Sequence, residues 1–118
     1  MRPETASCLA DARLACERII EITAETSSIA YVDDWRIQSI VERLFTIVGE
    51  AIVRVRDLEE PIFIRLPNVQ RIIGFRNFLI HAYDAIDPAR VFGIALTDVP
   101  ALLADLDSLL AEADAQGL

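Results

Sequence analysis

Lysine is absent from this 118-residue chain, and histidine occurs once. All eleven basic residues are arginine, set against nineteen acidic ones, for a formal net charge of −8. So acidic a total argues against binding nucleic acid through bulk charge, though not through a local arginine cluster. The missing lysine itself is read as genomic base composition. Cysteine occurs twice, as Cys8 and Cys16. On one helix, eight residues separate them by about 12 Å of axial rise, whereas a disulfide needs Cα atoms within roughly 7 Å. Both are expected to be free, small packing residues, and no metal-ligand spacing surrounds them. Long apolar runs are missing too: none approaches the ~18 residues that a membrane span needs. The opening "MRPETASCLADARLACERII" carries acid from Glu4 onward and no apolar block of signal-peptide type. A cytoplasmic protein is the expectation.

What the chain has in abundance is apolar side chain: 53% of residues are hydrophobic, with mean hydropathy +0.36. For one domain spanning 1–118 this means a rich core, or apolar surface kept for a partner. The apolar residues recur at helical spacing, and almost nothing alternates at period two. A first helix is predicted over Thr5 to Ile29, burying Leu9, Ala12, Cys16, Ile19 or Ile20, and Thr23. Asp33-Asp34 cap a second, from Trp35 to about Arg56, with a stripe through Ile37, Ile40, Val41, Leu44, Val48, Ala51, Ile52 and Val55. Phe45 and Ile47 fall outside that stripe. So wide an arc suggests cover on two sides, either within the bundle or from a second subunit. "DLEEPIFIRLP" reads as a connection packed on the bundle, with a short extended piece possible. A third helix is predicted from a cap at Asn68 to His81. Asp87 and Pro88 start a fourth, and Thr97 or Asp98 with Pro100 restarts it. Leu102, Leu103, Leu106, Leu109, Leu110 and Ala113 form its apolar face, and Gly117 ends it. The fold class is all-α: an up-down antiparallel bundle of four to five helices.

The candidate chemistry lies in "GFRNFLIHAYD", residues 74–84. Asn77 and His81 are four apart and share a helical face; with Arg76 they span an arc of about 140°. Tyr83 would join them only if the chain turns after His81. These residue types suit phosphoryl chemistry on RNA without a metal. Histidine, with an ordinary pKa near ~6.5, can take the proton of a ribose 2′-hydroxyl. An arginine fork can hold phosphate oxygens and offset charge that builds in the transition state. Asparagine can orient either group. On spacing alone the ordinary readings come first: His81 as a helix-end cap, Arg76 as a surface charge and Tyr83 as half-buried packing. One histidine per chain also cannot supply separate acid and base unless two chains share a site.

"RNFLIHAY" has the R-N-x-x-x-H-x-Y form found in HEPN domains, and the chain resembles the HepT-like toxins of HepT/MntA toxin–antitoxin pairs. The likeness extends to Gly49-Glu50-Ala51, to "IIGFRN" and to "TDVPALLADLDSLL". Where relatives often carry "PW" before the motif helix, this chain has Leu66-Pro67-Asn68. The resemblance implies a homodimeric HEPN-like bundle with a metal-independent endoribonuclease site in a cleft between the chains. It implies Arg76 and His81 as catalytic residues, Asn77 in support, and no metal or cofactor. It implies RNA as substrate and an MntA-like nucleotidyltransferase antitoxin as partner, with Tyr83 as the residue that partner adenylylates. Arg65, Arg71 and Arg90 are candidates for a local basic rim. A different outcome, a non-catalytic HEPN-type protein that holds a nucleotide or its partner through the same residues, stays open, as does a plain helical dimerisation module.

Overall fold

In the computed structural model all 118 residues are described, apart from the side chain of Tyr83. Six α-helices follow in order: α1 (Pro3–Ala24), α2 (Ser28–Val32), α3 (Trp35–Leu58), α4 (Glu60–Phe63), α5 (Val69–His81) and α6 (Pro88–Ala115). A 3-10 turn, Tyr83–Ala85, precedes the last. Among the described residues there is no strand, and the expected all-α bundle is present. Four long helices carry it; α2 and α4 are single turns or little more. Its extents are 45 × 28 × 20 Å, and the short dimension matches two helix layers of about 10 Å each. No helix is long and apolar enough to cross a membrane.

Side chains at the helix starts explain the boundaries. Asp34 accepts from the Arg36 and Ile37 amides at 3.1 and 3.2 Å and opens α3. Asp87 accepts from the Ala89 amide at 3.0 Å, with Pro88 at the first helical position of α6. Each satisfies an amide that the first turn leaves without a partner. The predicted first helix stops earlier than expected, at Ala24, because Ser27 captures the Ala30 amide at 3.1 Å and starts α2 instead. Gln38 then ties α2 down by donating to the Tyr31 and Val32 carbonyls at 2.8 and 2.9 Å. Asn68 precedes α5 as expected, but its side chain makes no capping bond.

Three further expectations are corrected. The stretch after α3 contains a turn of helix, α4, with Pro61 in its first turn, where a missing amide is harmless. α6 does not restart near Thr97 but runs unbroken through Pro100. Pro100 leaves the Leu96 carbonyl without its helical donor, yet both residues are exposed, so solvent can satisfy it. On the inner side Ala95, Val99, Leu102 and Leu106 are buried in one continuous row across the proline. Burial of that row outweighs a local cost of about 3 kcal/mol. Phe45, placed outside the α3 stripe by periodicity, is buried, and Ile40, placed within it, is half exposed.

The reason lies in the packing around α3. It is flanked by α1 on one side and α5 on the other, with α6 covering α1 and α2 resting on α6 and α3. The wide apolar arc of α3 is thus met within one chain. Phe45 faces the α5 side, where its ring meets Phe75 edge-on at 5.0 Å and 84°. Cys8 and Cys16 are buried and unbridged on α1. Burial, aided by Glu17 and Asp107, pushes the Cys16 thiol up to about 12.

Candidate functional site

Arg76 lies midway along α5, on the side that meets α3. A helix–helix contact normally has no room for an arginine stem. Here Gly49 provides it: a Cβ at that position would collide with Cβ and Cγ of Arg76 and stand 3.3 Å from its Cδ. A glycine inside a helix costs about 1 kcal/mol relative to alanine, and at Gly49 that cost allows the two helices to close over the stem. The guanidinium then emerges at the edge of the seam with a quarter of the side chain exposed. Nη1 donates to Asn77 Oδ1 at 2.8 Å, and Nη2 stands 3.8 Å from Glu50 Oε1. Nε is buried with no acceptor within the protein. The fork is therefore held from its two outer nitrogens, by one neighbour on its own helix and one on α3.

His81 closes α5, one turn beyond Asn77. Both are exposed. Arg76 and Asn77 are joined directly, whereas among the described residues no hydrogen bond links His81 to either. The predicted arc is thus present as a surface edge and not as an enclosed pocket. Tyr83 belongs to the 3-10 turn that starts two residues after His81. Its side chain lies outside the described residues. Of the three arginines placed at a basic rim, Arg71 and Arg90 line one groove between α5 and α6. Arg65 does not join them; it pairs with Glu112 at 2.7 Å. Among the described residues no group of three His, Cys, Asp or Glu is placed to hold a metal ion.

Gly49 and Glu50 were visible in the sequence only as part of a resemblance, without a role. The structure supplies one, as the seat and outer partner of Arg76. A glycine within an otherwise strongly apolar helix was the available signal. It could not say which residue, 27 positions later, would fill the space.

The family model described as Ribonuclease HepT-like matches residues 12–109. A relative from Methanocaldococcus jannaschii, named provisionally as an RNase, is 30% identical over 92 residues, which is 75% of this chain and 81% of that protein. No solved structure matches the chain.

Proposed function

The chain belongs to the HepT-like ribonuclease family, and from that premise we propose that it cleaves RNA without a metal, at a cleft formed by two copies of α5. The observation that carries this reading is the fixed Arg76 fork beside an open edge that bears Asn77 and His81. A cation held at both Nη groups is preorganised to meet charge as it develops on a phosphate. One chain has one histidine; two-fold symmetry supplies a second at the same cleft.

In the proposed reaction His81 of one copy takes the proton of the ribose 2′-hydroxyl. The 2′-oxygen attacks the adjacent phosphorus in line, and the bond to the 5′-oxygen breaks. His81 of the other copy gives that oxygen its proton. The products are a 2′,3′-cyclic phosphate and a 5′-hydroxyl, with no net gain or loss of protons. Arg76 offsets the added negative charge on the phosphorus oxygens, and Asn77 keeps its fork in place. We assign the chain as the toxin of a toxin–antitoxin pair. A nucleotidyltransferase antitoxin would transfer AMP from a nucleoside triphosphate to the Tyr83 oxygen and release pyrophosphate. The added phosphate, two residues past His81, would repel and obstruct the RNA.

Purified protein incubated with total RNA and EDTA tests the reading. His81→Ala and Arg76→Ala should each lower cleavage by at least about 10², with His81→Ala leaving the thermal midpoint in place because the residue is exposed. Unchanged cleavage in both variants would remove these residues from the chemistry. An inert wild type that still binds a nucleotidyltransferase would leave a binding protein in place of an enzyme.

A further inference from the structure

α5 takes its main support from α3, and it stands off from α6. The gap is a groove of about 380 Å³ lined by Arg71, Gly74, Phe75, Phe78, Arg90 and Ile94. We propose that this groove seats a nucleotide of the RNA strand next to the cleaved bond. This rests on the ribonuclease reading and adds to it a subsite away from Arg76.

Four observations support the proposal. The first is charge. In a chain of net charge −8, two of the six lining residues are arginines and none is acidic. Arg71 is anchored through Nε to Asp98 Oδ2 at 3.0 Å, on a carboxylate only 12% exposed. An arginine has five N–H donors, so the anchor leaves the Nη fork for a phosphate. The second is an aromatic wall. Phe78 is half-buried beside the buried Phe75, and a base can stack on an aromatic face whatever its identity.

The third is the floor. A Cβ added at Gly74 would meet no atom within 4 Å, so backbone lies open where a flat base could rest. The fourth is position. Gly74 and His81 are seven residues apart, so they differ in azimuth by only about 20°, with Phe78 about 60° from His81. The groove therefore runs along the same edge of α5 that ends in His81. Arg71 also borders a second hollow with Asn68, Gln70, Thr97 and Asp98, which extends the path towards the start of α5.

The test uses fluorescence anisotropy with a labelled single-stranded RNA, on the full chain carrying His81→Ala so that the probe survives. Gly74→Leu fills the groove from a position where the added carbon meets nothing. It should weaken RNA binding by roughly tenfold or more while the thermal midpoint holds or rises, since leucine favours a helix over glycine. Arg90→Gln should lower affinity and flatten the salt dependence by about one unit of slope. With His81 restored, both substitutions should raise KM for RNA cleavage and leave kcat within about twofold. Unchanged RNA affinity in both variants overturns the proposal, even if the wild type cleaves RNA. Loss of RNA affinity in both supports the groove even if the wild type proves inert, in which case only the catalytic reading fails. AMP serves as the second probe. If AMP binding is lost in the variants and RNA binding is not, the groove is a free-nucleotide site and the RNA assignment is wrong.

Discussion

The two flanks of α3 are built on different rules. Towards α1, with which it makes the most extensive helix contact, the buried side chains are mainly apolar, among them Leu9, Cys16 and Ile19 of α1 and Leu44, Ala51 and Ile52 of α3. Towards α5 it presents Phe45 to Phe75, but then gives up a side chain at Gly49 and admits an arginine. The α1 flank gains free energy from area removed from water, at roughly 25 cal/mol per Å². The α5 flank gives up part of that gain. It leaves a buried Nε without an acceptor, at a cost on the order of 1–3 kcal/mol. The difference sets a flank built for burial against the one on which the proposed chemistry rests. A seam optimised for burial would not keep a charged stem inside it.

That contrast can be broken from either side. The largest effect on stability is expected at Leu9, fully buried on α1. Leu9→Ala should cost about 2–5 kcal/mol in chemical denaturation while cleavage per folded molecule is retained. Next comes Gly49→Ala. The gain of about 1 kcal/mol in helix propensity is opposed by collision with the Arg76 stem. Overpacking of this sort costs about 1–3 kcal/mol, so a net loss is expected, with a larger loss of activity than of stability. A fully active, stabilised Gly49→Ala protein would mean that the seam simply opens.

Glu50→Gln should change stability by less than about 1 kcal/mol, because the ion pair is long and half in solvent. Its effect should appear in kcat, through a looser Arg76, and Glu50→Asp should restore part of it. The last effect is absent at neutral pH and concerns the α1 flank. The Cys16 thiol is raised from its ordinary 9.0 to about 12 by burial. The folded chain therefore holds that proton more tightly than the unfolded one. Stability should be independent of this group below about pH 9, then fall as pH climbs towards 12. Cys16→Ala should flatten that part of a denaturation-against-pH curve. At pH 8 the native thiol should resist alkylation that it accepts once unfolded.

The α1 flank was almost fully legible in the sequence. Leu9, Ala12, Cys16, Ile19 and Thr23 are all buried, as their spacing predicts, because these positions fall on one narrow arc of the helix although both α3 and α6 pack on it. The caps at Asp34 and Asp87 were legible for a similar reason: they act on amides two or three residues away. Phe45 was misplaced because a single stripe cannot describe a helix covered from two directions. Pro100 misled because a local rule about lost amides ignores whether the freed carbonyl reaches water. At the site, Arg76, Asn77 and His81 share one helix, so their common edge followed from angles alone. The seat at Gly49 and the partner at Glu50 did not, since they arise where two helices meet. The groove with Arg71 and Arg90 likewise joins α5 to α6. Two of the three suggested rim arginines meet there, while the third, Arg65, is drawn to Glu112.

The missing methyl group at Gly49 also acts as a ruler. One turn away on α3, in either direction, the same face of the helix carries Phe45 and Val53. A slide of α5 along α3 by one turn would drive the Arg76 stem into a side chain, so the two helices have a single notch in which they mesh. The height of the guanidinium on the bundle is indexed by that notch, and the placement of His81, five residues further along the same rigid rod, follows from it. The chemical edge is thus aligned by an absence on a neighbouring helix.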